Sequence, residues 1–252
     1  MYAVPFVERF EINIIDALSV QLLTALDVLT PAPLDEPRID SLGNEQGIYL
    51  LYHKGTPVYV GKASSLPKRL RDHRRKIAGR KSIALADVAF KCLYVHPNWT
   101  ALAPEAALIR YFKAAGNGEC AWNGNGFGPH DPGRDRETTD KSPDGFDAQY
   151  PIREDWECDW VEAREWNCRE LLLSLKGNLP YLLRYQVLDE NRYRAGHPDY
   201  NDVVMLVPHA NMTAAKLLGL IARCLPGWQA TAFPSHMILY KENQAYRHGQ
   251  VL

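Results

Sequence analysis

Residues 47–62 read GIYLLYHKGTPVYVGK, and this stretch decides the expected fold. Two runs of apolar and aromatic residues, 47–53 and 57–61, are joined by Lys54-Gly55-Thr56. Short runs with strand composition on either side of a glycine-containing turn predict a β-hairpin.

The register of this hairpin decides whether Tyr49 and Tyr59 come together. Side chains alternate along a strand, and directly opposed residues share a face, so the loop must have an odd number of residues. We therefore predict a three-residue loop at 54–56. In this register Leu51 pairs with Tyr59, Tyr49 pairs with Gly61, and both tyrosines face one side of the sheet.

The elements after the hairpin alternate between helix and strand. Ser65 can cap a helix that has Pro67 in its first turn and ends near Ala78. Residues 87–95 have strand composition, and a second helix begins at Thr100 or Ala103 and ends near residue 116. The predicted order is β-β-α-β-α.

Positive charge is concentrated in the first of these helices. Residues 62–81 contain nine Lys and Arg residues and one Asp, a net charge of +8, whereas residues 1–46 carry a net charge of −6. The net charge of −1 for the whole chain hides this asymmetry. Such a dense basic stretch predicts a face that binds a polyanion; the alternative is a solvated helix.

The remaining composition excludes several classes of protein. No apolar run is long and uninterrupted enough to span a membrane, and the first residues do not resemble a signal peptide. Five cysteines without a Cys-x-x-Cys pair predict neither a zinc ribbon nor a disulfide framework. We therefore expect a reduced, cytoplasmic protein.

The chain is predicted to have four regions and an α+β fold. Residues 1–46 form an N-terminal helical arm and a proline-rich linker, residues 47–123 the β-β-α-β-α core, and residues 124–155 a loop region rich in glycine and proline. Residues 156–252 form a C-terminal α/β extension. Its predicted helices cover 156–175 and 213–224, and its predicted strands cover 202–208, 228–233 and 236–240.

Several side chains of the core suit phosphodiester hydrolysis. This reaction needs a deprotonated water, balanced charge on the phosphoryl oxygens and a stabilised leaving oxygen. Glu105 could hold one Mg²⁺, which takes one or two carboxylates together with waters and phosphate oxygens, and Arg69 can bind a non-bridging oxygen. A free tyrosine has a pKa of about 10, so Tyr49 would need help from His73, Lys62 or the metal to act as a base.

The stretch from 47 to 123 resembles the catalytic domain of the GIY-YIG nuclease superfamily. The residues that carry this resemblance are Gly47-Ile48-Tyr49, Tyr59-Val60-Gly61 with valine in place of isoleucine, Lys62, Arg69, His73, Glu105 and Trp122-Asn123. The wider arrangement is similar to a branch of small type II restriction endonucleases built on this domain. This second likeness rests on the N-terminal helix, the spacing of Arg69 and His73, the loop from Trp122 to Gly133 and the segment from Phe146 to Trp156.

The resemblance implies a role for each position. Tyr49 would orient or deprotonate the attacking water with help from His73, and Tyr59 would position the phosphate or the water. Arg69 would stabilise the transition state. Glu105 would bind the divalent metal, Mg²⁺ or Mn²⁺, and Asn123 would hold the site together through hydrogen bonds.

Two of these assignments have a rival. Lys62 occupies the position of a candidate base in relatives that use lysine, so it competes with His73. Asn117 lies 12 residues after Glu105 and competes with Asn123, which lies 18 residues after it. Asn123 is preferred because Trp122 precedes it.

The basic stretch and the loop region are predicted to contact DNA. The loop region 124–155 is the candidate reader of the base sequence. The predicted DNA-binding residues are Lys62, Lys68, Arg71, Arg74, Arg75, Arg80, Lys81, His130 and Arg134.

Three functions compete. The preferred one is site-specific cleavage of double-stranded DNA by a homodimer, because one metal site per chain requires two copies to cut two antiparallel strands. The likeness adds a GC-rich palindrome as the target and a restriction-modification system, in which the cognate DNA methyltransferase is a genetic rather than a physical partner. The alternatives are a structure-specific or repair endonuclease with the same core and an inactive DNA-binding module.

Overall fold

The computed structural model describes residues 14–96, 109, 111, 120–128, 135–138, 145–188 and 196–252. The chain divides into two compact units, Met1–Arg71 with Ala86–Asn123, and Asp72–Leu85 with Gly124–Leu252. The fold class is α+β, as predicted. Among the described helices, none has the length and apolar character needed to cross a membrane.

The first unit contains one antiparallel sheet with the strand order β1-β4-β2-β3. The helix α3 begins in this unit and ends in the second. The elements in chain order are α1 (Ile14–Asp27), β1 (Ala32–Pro33), α2 (Glu36–Asp40), β2 (Gly47–His53), β3 (Thr56–Ala63), α3 (Leu66–Ala78) and β4 (Val88–Tyr94).

Apolar residues of β2 are buried on both faces of this sheet. Ile48 and Leu50 pack on one face with Val60 and with buried leucines of α1. Tyr49 points to the opposite face because side chains alternate along the strand. Gly47 shares the face of Tyr49, and a Cβ there would lie 2.5 Å from Leu66 Cδ1. The first turn of α3 therefore covers the tyrosine face.

The proline-rich segment predicted as a linker contains regular structure. Ala32–Pro33 pairs with β4, and Asp35 caps α2 by accepting a hydrogen bond from the Arg38 backbone N–H at 3.0 Å. Leu34 and Ile39 are buried. Proline fits both elements, since an edge strand and a first helical turn need no N–H at that position.

The second unit has a four-stranded sheet of order β10-β8-β9-β6, in which only the β6–β9 pair is parallel among the described pairings, and a two-stranded sheet β5-β7. Its core contains the buried leucines of α6 and α8. The elements in chain order are α4 (Asp135–Thr138), α5 (Phe146–Gln149), β5 (Glu165–Asn167), α6 (Cys168–Asn178), β6 (Leu182–Tyr185), α7 (Pro198–Asn201), β7 (Val204–Leu206), α8 (Ala214–Cys224), β8 (Gln229–Ala232), β9 (His236–Tyr240) and β10 (Gln250–Val251).

The helix predicted over 156–175 is wrong in its first half. Only Cys168–Asn178 is helical, and Asn167 caps it by accepting hydrogen bonds from the backbone N–H groups of Arg169 and Glu170. Trp166 instead lies in β5 opposite Met205. The i,i+4 spacing of the preceding tryptophans imitated a helix, but residues there form backbone pairs with the segment before α8. The predictions for 213–224 and 236–240 are confirmed.

A buried ion pair joins two distant segments of the second unit. Arg80 and Asp147 are 2.9 Å apart, with side chains only 3% and 2% exposed. The same guanidinium nitrogen of Arg80 donates to the carbonyls of Tyr150 at 3.2 Å and Pro234 at 3.1 Å. Its charge is therefore compensated inside the protein.

Candidate active site

The β2–β3 hairpin has the predicted tyrosine pairing with a shorter loop. Tyr49 pairs with Gly61 and Leu51 with Tyr59, so the predicted register is confirmed. The loop has two residues rather than three, because His53 pairs with Thr56. Lys54 and Gly55 both have positive φ, 50° and 82°. Positive φ at both positions is typical of a type I′ turn, whose twist matches that of the flanking strands.

A β-bulge in β3 compensates for the shorter loop. The register shifts between Leu51 and Tyr52, and Tyr52 pairs with Pro57, which leaves Val58 as the extra residue. A two-residue loop with one extra strand residue gives the side chains from Tyr59 onward the same register as a three-residue loop would. The shared face of the tyrosines was therefore predicted correctly, and the predicted loop length was wrong.

The two tyrosine rings meet above Gly61. Their centroids are 6.1 Å apart, with an angle of 32° between the ring planes. A Cβ at Gly61 would overlap the Tyr49 hydroxyl group and would lie 2.8 Å from Tyr59 Cε1. Position 61 is therefore a glycine for a steric reason, and the space that it leaves holds the Tyr49 hydroxyl.

We expect Gly61→Ala to lower single-turnover DNA cleavage by roughly a hundredfold, because a displacement of about 1 Å at a reacting group can cost that much. The added methyl group must push Tyr49 or Tyr59 aside. Gly177→Ala is the matched control, since a Cβ at Gly177 meets nothing within 4 Å. Unchanged cleavage by a folded Gly61→Ala protein would contradict the steric role of Gly61.

Lys62 is not on the face of the tyrosines. It pairs with Ile48, so its Cβ points to the face that packs against α1, and its side chain is exposed. Arg69 lies near the start of α3. The hydroxyl of Ser65, directly before this helix, accepts a hydrogen bond from the Lys68 backbone N–H at 3.4 Å. The predicted start of this helix at Ser65-Leu66 is confirmed.

Asn123 holds the edge strand of the sheet. Its Oδ1 accepts a hydrogen bond from the Val60 N–H, and its Nδ2 donates to the Val60 carbonyl, both at 2.8 Å. The backbone N–H groups of Cys120 and Trp122 donate to the carbonyls of Pro57 and Val58. This segment therefore fixes the part of β3 that carries Tyr59, and the role of Asn123 in an active site stays a prediction.

His73 lies on the buried stripe of α3, in the second unit. Leu66, Leu70 and Ile77 occupy the same stripe at helical spacing, and His73 is 3% exposed. Its ring stacks on Phe127 with a centroid distance of 4.8 Å and an interplanar angle of 15°. The structure thus places His73 against an aromatic partner that the sequence did not suggest.

Much of the positive charge of residues 62–81 is used within the protein. Arg71 forms ion pairs with Glu36 and Asp40, and Lys81 pairs with Glu154 at 2.6 Å. These partners account for part of the basic stretch that the sequence assigned to DNA.

Two further arginines of the stretch contact groups of the second unit. Arg75 donates to the carbonyls of Gly177 and Leu179, both at 2.7 Å. Arg80 is buried and its guanidinium pairs with Asp147 inside the second unit, an arrangement that does not support its predicted contact with DNA. Lys62 and Lys68 are exposed, and Arg74 is partly buried.

Several predicted site residues lie outside the described part of the chain. These are Glu105, Asn117, His130 and Arg134. Within the described part, no group of three or more His, Cys, Asp or Glu residues could hold a metal ion. The predicted metal site has one protein carboxylate, that of Glu105, so a search for groups of three or more ligands does not test it.

Comparisons with known proteins find similarity over part of the chain. The family model described as the Eco29kI GIY-YIG domain matches residues 54–157. This match includes Tyr59, Arg69, His73 and Asn123 and begins after Tyr49. A search of curated proteins finds no significant match.

Two solved structures are similar to a shorter part of the chain. Both are point mutants of the GIY-YIG N-terminal endonuclease domain of UvrC from Thermotoga maritima, bound to the catalytic divalent cation. They are 26% and 28% identical to this chain, and each match covers 31% of this chain and 87% of the solved one. The TM-score is 0.24 for both.

Proposed function

We propose that this chain is a magnesium-dependent type II restriction endonuclease, because the model of the Eco29kI GIY-YIG domain matches residues 54–157. Such a domain is an endonuclease that hydrolyses phosphodiester bonds. The proposal adds a specific double-stranded target, a GC-rich palindrome, and a restriction-modification system with a cognate DNA methyltransferase. It also adds a homodimer, because cutting both strands with one site per chain takes two copies.

The observation that supports this proposal most strongly is the pair of tyrosines over Gly61. Tyr49 and Tyr59 share one face, only glycine fits beneath them, and the first turn of α3 covers that face. The Tyr49 hydroxyl is held in one position by these contacts, and a fixed hydroxyl can orient a reacting water or phosphate. Asn123 supports the strand below it through two hydrogen bonds to Val60.

In the proposed reaction, Tyr49 orients or deprotonates the attacking water, and His73 is assigned to assist it because of the resemblance to the GIY-YIG family. The water oxygen bonds to phosphorus as the bond from phosphorus to the leaving 3′ oxygen breaks. Tyr59 positions the phosphate, and Arg69 balances the charge that develops on a non-bridging oxygen. A Mg²⁺ ion held by Glu105, or Mn²⁺ in its place, would supply further charge stabilisation. Lys62 and Lys68 contact the DNA backbone.

The test of the proposal is incubation of the purified chain with plasmid DNA and Mg²⁺. Discrete fragments whose sequenced ends share one palindrome are the expected result. Nicking confined to branched substrates would indicate a structure-specific or repair endonuclease instead. A mobility shift without cleavage would indicate an inactive DNA-binding module.

His73 and Lys62 are separated by their expected effects on rate and binding. We expect His73→Phe, which keeps an aromatic ring against Phe127, to lower single-turnover cleavage by roughly a hundredfold, the usual scale for loss of general-base help. Lys62→Ala should weaken binding and reduce the slope of log affinity against log salt by about one. Lys62 lies on the sheet face opposite Tyr49, which supports a role in binding rather than in catalysis.

His73→Ala serves as a comparison, because it also opens a cavity at a residue that is 3% exposed. Both variants remove the ring nitrogens. If these nitrogens assist the reaction, His73→Phe should therefore lose as much activity as His73→Ala. Loss of chemistry in Lys62→Ala, together with an active His73→Phe protein, would assign the base to Lys62. The assay must be single-turnover, because steady-state rates can report product release.

A further inference from the structure

Lys76 lies one turn beyond His73 on α3 and makes an unusual set of contacts. Its Nζ donates to three successive backbone carbonyls, those of Gly126 at 3.0 Å, Phe127 at 2.9 Å and Gly128 at 3.5 Å. An ammonium group has three N–H donors and no acceptor, so it can donate to several carbonyls at once. Lys76 therefore gathers the backbone on both sides of Phe127 around one charge.

Phe127 is held in a single place by these contacts and by its neighbours. Its side chain is fully buried, and Lys76 Nζ lies 5.1 Å from its ring centroid. The ring of Phe146 packs on it edge to face, with a centroid distance of 4.7 Å and an angle of 62°. Gly126, directly before it, has φ of +89°, a conformation that only glycine adopts readily.

The orientation of His73 depends on Phe127. The two rings are stacked within 15° of parallel at 4.8 Å, so a shift of Phe127 would tilt the imidazole or open space beside it. His73 and Lys76 are three residues apart on the same helix and thus lie on neighbouring positions of its surface. The same short loop therefore contacts both side chains.

We infer that Lys76 is a positioning residue, which fixes the imidazole of His73 through the backbone and ring of Phe127. The inference rests on the proposed function, because it assigns Lys76 to the group that assists Tyr49. It differs from the role suggested by the basic stretch around it. A lysine in the basic stretch 62–81 is expected to contact a DNA phosphate. The Lys76 ammonium instead donates to three carbonyls of its own chain.

A double-mutant cycle tests this inference. Lys76→Met keeps the length of the aliphatic chain and removes the charge and the donors. We expect it to lower single-turnover cleavage about tenfold in the wild-type protein and less than about twofold in the His73→Phe protein, because a residue that acts only through His73 has no effect once His73 is gone. Lys76→Arg, which can still donate to carbonyls, should recover most of the rate.

The salt dependence of DNA binding distinguishes positioning from phosphate contact. Lys76→Met should leave the salt slope unchanged, whereas loss of a phosphate contact reduces it by about one. Lys216→Met is the matched control, since Lys216 is an exposed lysine on helix α8 of the same unit. It should leave rate and slope unchanged.

The outcomes separate the inference from the proposed function. The wild-type rate in the same assay tests whether the chain is a nuclease. An equal loss in both backgrounds, a lower salt slope or an unchanged rate for Lys76→Met would each overturn the role of Lys76 while leaving the nuclease in place. If Lys76→Met fails to fold, Lys76→Gln replaces it, because its uncharged amide has only two donors for the three carbonyls, and the same ratio of rates decides.

Discussion

Glu105→Gln should lower the cleavage rate by about a thousandfold or more, while most of the affinity for DNA remains. The substitution keeps the size of the side chain and removes the charge that would hold a divalent cation. A metal contributes several kcal/mol to stabilising charge in a transition state, and each ~1.4 kcal/mol is a factor of ten in rate. We expect binding to depend on other groups, among them the exposed Lys62 and Lys68.

Single-turnover cleavage and a binding assay in Ca²⁺ or without metal measure the two effects separately. Glu170→Gln is the matched control, because Glu170 is an exposed glutamate in the first turn of a helix, as Glu105 is predicted to be. Its loss costs only the helix-dipole interaction of about 0.3–1 kcal/mol. If Glu105→Gln lost binding together with cleavage in a folded protein, Glu105 would not be a metal ligand.

Asp147→Ala should destabilise the second unit by about 3–5 kcal/mol. Removing one partner of a buried ion pair leaves the other charge uncompensated, and Arg80 and Asp147 are 3% and 2% exposed. Urea unfolding followed by tryptophan fluorescence measures this change, since Trp156, Trp160, Trp166 and Trp228 all lie in the second unit. The unfolding midpoint should fall at an unchanged slope.

Two further variants establish that the cost comes from burial. Glu162→Ala removes an exposed pair with Arg164, whose side chains are 78% and 48% exposed, and should cost less than about 1 kcal/mol. The double variant Arg80→Met with Asp147→Leu should be more stable than Asp147→Ala, because no charge is left unpaired. Equal costs for Asp147→Ala and Glu162→Ala would show that the buried pair has no special weight.

The sequence predicted the tyrosine face because this part of the fold depends on local patterns. Alternation in β2 and β3 determines which side chains share a face, and the two-residue loop together with the bulge keeps the parity of the predicted three-residue loop. The bulge at Val58 could not be predicted, since nothing in a valine distinguishes an extra strand residue from a regular one. The helix start at Ser65 was predictable for the same local reason, a capping hydroxyl followed by proline.

The partners of the basic residues could not be read from the sequence, because they come from far along the chain. Arg80 and Asp147 are 67 residues apart, and Lys76 and Phe127 are 51 apart. The dense run of positive charge therefore predicted a DNA-binding face, whereas part of that charge forms contacts within the protein. Phe127 stood in a glycine-rich stretch that favours a loop, and its isolation as an apolar residue there was the only local sign of a buried anchor.

The discontinuous second unit has a consequence for protein synthesis. The first unit ends at Asn123, whereas the second combines Asp72–Leu85 with Gly124–Leu252. At about 5–20 residues per second, the ribosome needs roughly 6 to 26 s to make residues 124–252. Arg80 is synthesised early, whereas Pro234, whose carbonyl accepts a hydrogen bond from Arg80, is synthesised late. A nascent chain that terminates before β9 is therefore expected to release a first unit without a stable second one.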